Sequence, residues 1–302
     1  MPDTSCQCSS DESVIFSFDC GRSKNARVPE FALVLGSGAS VLDVHEHRER
    51  LRALAQEDIL VFGVNYSYRV YITLQHVFLD WEMWAQNFYD LNILQNEFNT
   101  TMFAPIGFSK ERVENTRCCP LPANVLRFGA FICAAMPCPH NVTKKGKLKE
   151  HLSDHIAKGL RGSATSVMPA INMAYLTGAK TVAIIGVEMD TARHFWQDER
   201  WKTLKDEMPH KDKWQGLTLD LWGAPPEHKF PNADYNLSDL KDVGKWLKKK
   251  GVRPLNLAVN PPGAVKGWDR MSLDELLTET ERKIAKRKYQ REYRKRERKV
   301  AP

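Results

Sequence analysis

The sequence predicts an α/β fold with a doubly wound, mostly parallel sheet. Apolar runs of strand length recur along the chain, and segments of helix length separate them. Polar residues follow several of these runs, as at the ligand-binding edge of open α/β sheets. The clearest unit is a helical segment that stops at Gly178 and continues into the apolar run Thr181–Gly186, which is the pattern of a crossover connection.

The first half of the chain supplies three predicted strands. Phe31–Leu35 leads into a glycine-rich turn, and the charged, leucine-containing segment Val41–Gln56 is predicted to be the helix that follows. Asp58–Val64 is a second buried strand that ends at Asn65, and Tyr71–Leu79 is a third. We expect the polar residues after these strands to lie in a row along the carboxyl edge of the sheet.

Residues 88–158 are interpreted as an insertion or lid that partly covers this edge. The segment is rich in proline and carries the basic stretch Lys144–Lys149. Its prolines are Pro105, Pro120, Pro122, Pro137 and Pro139. A lid of this kind would exclude water from a ligand bound at the edge.

Regular structure is predicted again after Arg161, an additional cation close to the same edge. Hydroxyl residues in Gly162–Ser166 are suited to cap a helix that runs to about Tyr175. Further along, Asp239–Lys250 is predicted to be an amphipathic helix and Val252–Val259 a strand.

Three regions are predicted: a loose leader over 1–27, an α/β domain over 28–269 and a basic tail over 270–302. The hydrophobic fraction of 42% is typical of a globular protein. No apolar run approaches the ~20 residues of a membrane helix. The leader lacks the basic and apolar regions of a signal peptide. We therefore expect no membrane partner and a cytoplasmic location.

The net charge of +7 arises from one C-terminal segment, which is predicted to be helical. Residues 281–299 contain eleven Lys or Arg and three Glu, whereas the rest of the chain holds 33 basic and 34 acidic residues. A cationic helix without an apolar face favours phosphate backbones, so DNA or RNA is an expected partner, and a solvated extension is the alternative. The candidate nucleic-acid contacts are Arg287, Lys288, Arg291, Arg294, Lys295 and Arg296.

The seven cysteines of the chain leave open whether it binds a metal ion. They stand at positions 6, 8, 20, 118, 119, 133 and 138. Cys118, Cys119, Cys133, Cys138 and His140 could supply zinc ligands, but no Cys-x-x-Cys pair is present. We expect these thiols to act as small buried apolar groups rather than as ligands.

The glycine-rich turn has two interpretations. Glycines and hydroxyls directly after a buried strand expose backbone N–H groups that can cradle a phosphate. The segment is neither a Walker A motif nor a complete Gly-x-Gly-x-x-Gly fingerprint. An ordinary strand-to-helix turn explains Leu35–Ser40 equally well.

The chain resembles bacterial sialyltransferases of glycosyltransferase family 42 and the related MptE-like proteins, many of them encoded by phages. The resemblance rests on Leu35–Ser40, on Gly63–Asn65, and on Gly162–Ser166 followed by Ile185–Glu188. It covers about residues 31–80 and 161–262. It implies a Rossmann-like transferase that uses a nucleotide-activated donor, CMP- or UDP-linked; a phage protein would act in the host cytoplasm.

The resemblance also implies roles for individual residues. Contacts with the donor nucleotide carry over to Gly36, Ser37, Gly38, Ser40, Asn65, Ser163, Thr165 and Ser166. The general base carries over to one of two histidines. His194 matches the His-Trp segment of phage members, and His228 lies nearer the position of the sialyltransferase base.

Glu188 and Asp190 are the acidic candidates at the end of a strand. They could bind a metal or ribose hydroxyls, or cap a helix; a divalent metal is compatible with the sequence but not indicated. The predicted function is a glycosyltransferase-like enzyme with nucleic acid as one conceivable acceptor. A pyrophosphokinase related to the MptE proteins, and a non-catalytic nucleic-acid-binding protein on a transferase fold, are the alternatives.

Overall fold

The computed structural model describes most of the predicted α/β domain and the C-terminal helix. The described residues are 28–55, 58–78, 87–105, 125–128, 130–132, 150–155, 158–161, 165–189, 194–208, 210–214, 233–258 and 265–300.

Ten strands are described. They are β1 Phe31–Leu35, β2 Ile59–Val64, β3 Gln75–Val77, β4 Thr101–Pro105, β5 Val125–Phe128, β6 Ala130–Ile132, β7 Leu160–Arg161, β8 Thr181–Ile185, β9 Arg253–Asn256 and β10 Asp269–Arg270. Eight of them form one sheet in the order β10-β9-β8-β1-β2-β3-β4-β5, and β6 pairs with β7 separately. All described pairs are parallel.

Seven α-helices lie within the described residues. They are α1 Asp43–Glu46, α2 Arg48–Ala55, α3 Phe88–Phe98, α4 Val167–Leu176, α5 Glu199–Leu204, α6 Ala233–Lys249 and α7 Leu273–Val300. Short 3-10 helices occupy Ala39–Leu42, Asn65–Arg69, Phe195–Gln197 and Lys211–Lys213. No helix in the described part of the chain combines the length and the apolar character that crossing a bilayer requires.

Helices cover both faces of the sheet. Leu33 and Leu35 of β1 belong to a core cluster that includes residues of α2, α3 and α7. Ala32 and Val34 point the other way, into a cluster with residues of α4 and α6. Burial on both faces explains why the central strands are continuous apolar runs. The predicted α/β fold with a mostly parallel sheet is confirmed.

The strand order reverses between β1 and β8. From β1 the chain moves through β2 to β5 on one side, and from β8 it moves to β9 and β10 on the other. Right-handed crossovers that move in opposite directions lie on opposite faces, and α2 and α6 are placed in that way. We call the carboxyl ends of β1 and β8 the switch point, the position where such sheets bind ligands.

Part of residues 88–158, the segment interpreted from the sequence as an insertion, extends the main sheet. α3, β4 and β5 extend the main sheet, with β4 beside β3 and β5 at the edge. No glycine marks the end of α3, because Asn99 provides the left-handed residue there, with φ 55°. Residues 106–124 and 133–149, which hold four of the five prolines and all candidate zinc ligands, lie outside the described residues.

The first half of the predicted basic tail packs against the α/β domain. Ser272 and Glu275 form a capping box at the start of α7. On one side of the first half of α7, the apolar side chains of Leu273, Leu276, Leu277 and Ile284 are buried in the core. From residue 288 to residue 296 every side chain is exposed. The helix is thus anchored in its first half and projects into solvent in its second.

Candidate functional site

The turn after β1 lies directly against the end of β8. The backbone N–H of Gly36 donates to the carbonyl of Ile185 at 2.8 Å, and that of Gly38 donates to the carbonyl of Gly186 at 2.8 Å. The Ser40 hydroxyl accepts from the N–H of Gly186, also at 2.8 Å. These bonds hold the two strand ends together at the switch point.

This close approach explains both glycines of the turn. A Cβ atom at Gly36 would overlap with the carbonyl oxygen of Gly186, and one at Gly38 would overlap with the Glu188 carboxylate. Neither glycine has a positive φ. Glycine is therefore required here for space rather than for backbone conformation.

Glu188 places a carboxylate at the beginning of the segment Ala39–Leu42. Its side chain is buried, with 4% of its surface exposed, and Oε1 accepts from the N–H of Ser40 at 2.7 Å. Of the roles predicted for Glu188, this contact corresponds to a cap. The amides of Gly36, Gly38 and Ser40 all donate within the chain, so a phosphate at Ser40 would have to displace Glu188.

His194 lies across the same turn. It forms an isolated antiparallel bridge with Gly38, and its ring stacks on Trp196 with centroids 4.2 Å apart and planes 7° apart. Burial lowers the pKa of His194 to about 4, although a hydrogen bond to the Ser37 carbonyl acts in the opposite direction. The imidazole is therefore neutral at pH 7, the form that a general base needs.

Ser37 and Asn65 carry buried oxygen atoms that have no hydrogen-bond partner among the described residues. These atoms are Ser37 Oγ and Asn65 Oδ1. Asn65 follows β2, the neighbour of β1, and its φ of 51° is unusual for a residue other than glycine. Strained residues with free polar atoms are typical of ligand-binding positions.

His76 holds the backbone of Asn65 in place. Its Nε2 lies 2.7 Å from the Asn65 carbonyl oxygen, and its Nδ1 lies 3.3 Å from the Thr73 hydroxyl. The ring is fully buried, and burial lowers the pKa of His76 to about 4. A Cβ atom at Gly63 would overlap with this ring. His76 thus acts as a buried support for the strand end.

A second polar network supports the segment after Asn65. The Tyr68 hydroxyl donates to the buried carboxylate of Asp90 at 2.8 Å, and Arg69 forms an ion pair with the same carboxylate. Asn87 donates to the Tyr66 hydroxyl at 3.2 Å. Sequence reasoning missed this network. The sequence offered one signal for it, the run of Tyr, Ser, Tyr and Arg at positions 66–69, directly after a buried strand.

Thr165 and Ser166 lie at the start of α4. Both are buried, and the Thr165 hydroxyl accepts from the N–H of Val167 at 3.3 Å. α4 ends just before β8 begins, so its first turn lies toward the carboxyl edge of the sheet. Ser166 makes no capping hydrogen bond, so the hydroxyl cap predicted for this helix is supplied by Thr165.

Part of the predicted constellation is brought together at the carboxyl edge. The residues found there are Gly36, Ser37, Gly38, Ser40, Asn65, Thr165, Ser166, Glu188 and His194. Three others, Ser163, Asp190 and His228, lie outside the described residues. Within the described ranges, no group of three His, Cys, Asp or Glu is arranged to hold a metal ion.

The basic residues of α7 lie apart from the carboxyl edge of the sheet. Arg287 forms ion pairs with Glu30 and Asp58, which precede β1 and β2 at the amino edge of the sheet. The exposed residues Lys288, Arg291, Arg294, Lys295 and Arg296 follow it along the helix. They therefore continue the helix beyond the amino edge of the sheet, the edge opposite the glycine-rich turn.

Comparisons of the chain with protein-family models, with curated proteins and with solved structures give no match. The resemblance to family 42 sialyltransferases and MptE-like proteins accordingly rests on the sequence motifs alone.

Proposed function

We propose that the chain is a glycosyltransferase-like enzyme that binds a nucleotide-activated donor at the switch point. The observation that carries the proposal is the position of Ser37 and His194 at the switch point, with Asn65 at the end of the neighbouring strand β2. Ligands of open α/β sheets bind at this place. The resemblance in the glycine-rich turn favours a nucleotide over other small molecules.

Asn65 is assigned to the ribose of the donor. In dinucleotide-binding folds a polar side chain at the end of the second strand bonds the ribose hydroxyls, and Asn65 occupies the equivalent place after β2. Ser37 Oγ lies in the turn of the neighbouring strand. We assign it to a phosphate oxygen, because the amides of Gly36, Gly38 and Ser40 already donate within the chain.

His194 is assigned to the acceptor. In the proposed step its neutral imidazole takes the proton of an acceptor hydroxyl, whose oxygen forms a bond to the transferred carbon. The bond from that carbon to the donor phosphate breaks, and the phosphate leaves with the electron pair. A pKa of about 4 makes His194 a weak base in the free protein. A bound anionic donor would raise this pKa toward the range that suits catalysis.

A matched pair of asparagine variants tests the donor site. Asn65 and Asn99 both have a left-handed backbone, with φ of 51° and 55°, so glycine fits either position. The measurement is a thermal-shift panel of cytidine and uridine nucleotides and their sugar conjugates. A ligand at 100 times its dissociation constant adds about 2.7 kcal/mol. We expect Asn65→Gly to abolish the shift and Asn99→Gly to keep it; equal shifts in both variants would exclude Asn65 from the site.

A second candidate function, nucleic-acid binding, is favoured by the exposed half of α7. Tyr289 and Tyr293 are 71% and 53% exposed and stand one helical turn apart among arginines and lysines. Aromatic rings and cations presented together bind single strands by stacking and charge. The pyrophosphokinase alternative has less support, because Glu188 already accepts from Ser40.

A further inference from the structure

A polar cluster lies where β7 packs against α4 and α6. We call it the Arg161 cluster; it comprises Arg161, Asn236, Asp239 and His151. Arg161 is only 2% exposed, and its Nη2 donates to the carboxylate of Asp239. Asn236 lies one turn before Asp239 on the same side of α6, so its side chain faces the same space.

The cluster contains polar atoms that no described residue satisfies. They are Nε and Nη1 of Arg161, both amide atoms of Asn236 and Nδ1 of His151. Asn236 has no exposed surface at all. A buried polar group without a partner costs about 1–3 kcal/mol, and such groups are rare in folded proteins. Several of them in one place indicate that a polar molecule occupies the space between them.

The arginine is rigidly held. Its backbone N–H donates to Oδ1 of Asn172 at 2.8 Å, and the same oxygen accepts from the N–H of Ser153 at 2.9 Å. Asn172 itself is a fully buried residue of α4. With the backbone held by Asn172 and Nη2 held by Asp239, the guanidinium loses little freedom when it binds a ligand, so its unused N–H groups are preorganised.

The chemistry of the unsatisfied atoms favours an acceptor-rich ligand. The unsatisfied atoms of Arg161 and Asn236 are mainly N–H donors. Asp239 balances the charge of Arg161 through one nitrogen only, which leaves two nitrogens for a second oxygen-bearing group. We propose that the Arg161 cluster binds an oxyanion, a carboxylate or a phosphate group, between Arg161 and Asn236.

This site is distinct from the donor site proposed above. Its residues come from β7 and α6 and from the segment before β7, whereas Ser37 and His194 lie at the switch point and Asn65 follows β2. The inference does not depend on transferase activity. Loss of nucleotide binding in Asn65→Gly would not affect the inference about the Arg161 cluster. Failure of that inference would likewise not affect the proposed donor site.

Asn236→Leu is the first test, because leucine has a similar size and removes only the amide. The melting temperature of the wild-type chain and of the variant is measured in sodium phosphate, sodium acetate and sodium chloride at matched ionic strength. We expect phosphate or acetate, but not chloride, to stabilise the wild type, and the responding salt identifies the group. In chloride the variant should be at least as stable as the wild type, since an unsatisfied amide is gone, and its response to the oxyanion should be lost.

Arg161→Lys provides a second variant that keeps a cation beside Asp239 but removes the forked donors. Arg161→Lys should also lose the stabilisation by phosphate or acetate. A crystal grown in selenate gives a direct check, since selenium is located by anomalous scattering. Anomalous density between Arg161 and Asn236 supports the proposal. Equal responses to all three salts, an unchanged response in Asn236→Leu, or density for ordered water alone would overturn it.

Discussion

The carboxylate of Glu188 accepts a 2.7 Å hydrogen bond from the backbone N–H of Ser40, 148 residues earlier in the chain. This contact joins the end of β8 to the turn after β1, directly at the switch point. It places a negative charge where the sequence predicted the phosphate of a ligand. Under the proposed function, we therefore expect Glu188 to compete with the phosphate of the donor for this turn.

Replacing Glu188 with glutamine tests this competition. Glutamine keeps the acceptor oxygen but removes the charge, so the free energy of unfolding should fall by only about 1 kcal/mol. Because repulsion of a phosphate is relieved, we expect Glu188→Gln to bind nucleotides more tightly. Calorimetric titration measures the change, with Glu199→Gln at an exposed position as the control. Weaker binding would instead indicate that Glu188 contacts the ligand itself.

Gly38 and Glu188 should be coupled energetically. A Cβ atom at Gly38 would overlap with the Glu188 carboxylate, so Gly38→Ala should destabilise the fold by about 1–3 kcal/mol through overpacking. In a Glu188→Ala background the closest overlap is removed and only the carbonyl oxygen of Gly186, at 2.9 Å, still has to shift, so the cost should be smaller. A double-mutant cycle with chemical denaturation measures the coupling. If the destabilisation of the double variant equals the sum of those of the two single variants, the carboxylate does not limit the space at Gly38.

Stability should decrease in acid because His76 is buried as the neutral base. Its pKa is about 4 in the folded protein and about 6.5 in the unfolded chain. The unfolded state therefore binds the proton first. The stabilisation is complete above pH 6.5 and is lost as the pH falls toward 4, by up to about 3 kcal/mol.

The comparison that isolates His76 uses the free energy of unfolding of three proteins across this pH range. His76→Gln should show a shallower pH dependence than the wild type, whereas His210→Gln, at an exposed site, should follow the wild type. His194 contributes in the same direction and remains in both variants. Parallel curves for all three proteins would contradict burial of a neutral His76.

The basic residues of α7 should separate into two groups. Arg287 pairs with the buried carboxylate of Asp58 and with Glu30, so Arg287→Gln should destabilise the fold by about 2–3 kcal/mol. Arg291 and Arg294 are exposed. Their glutamine variants should keep the stability of the wild type but weaken binding of a labelled oligonucleotide.

Salt dependence measures that second effect. Each phosphate contact that is removed should reduce the slope of log K against log salt concentration by about 0.7 for single strands or about 0.9 for duplex DNA. Fluorescence anisotropy at several salt concentrations gives the slope. Binding that is unchanged in Arg291→Gln and Arg294→Gln would assign this half of α7 to solvation alone.

The central strands could be predicted from the sequence because their chemistry is simple. β1, β2 and β8 are buried on both faces, which requires continuous apolar residues, and Asn65 and Gly186 mark two of their ends. β4 and β5 were missed, since Thr101 and Pro105 interrupt the apolar pattern of one and Arg127 that of the other. Edge and near-edge strands carry such residues without penalty.

The site could be predicted only in part, because its key contacts are distant in sequence. Asn65 and the glycine-rich turn follow apolar strands and were visible as local patterns. The use of the turn's amides by β8 and Glu188 depends on the strand order β8-β1-β2, which no local pattern encodes. The role of His76 was hidden for the same reason, since it lies inside a predicted strand.

A crystal structure with a bound cytidine or uridine nucleotide sugar tests the central claim most directly. The proposed function predicts density for the nucleotide at the carboxyl ends of β1 and β8, with the ribose beside Asn65 and the phosphate beside Ser37. A nucleotide bound at another surface, with Glu188 still on Ser40 and the switch point empty of ligand, would contradict it.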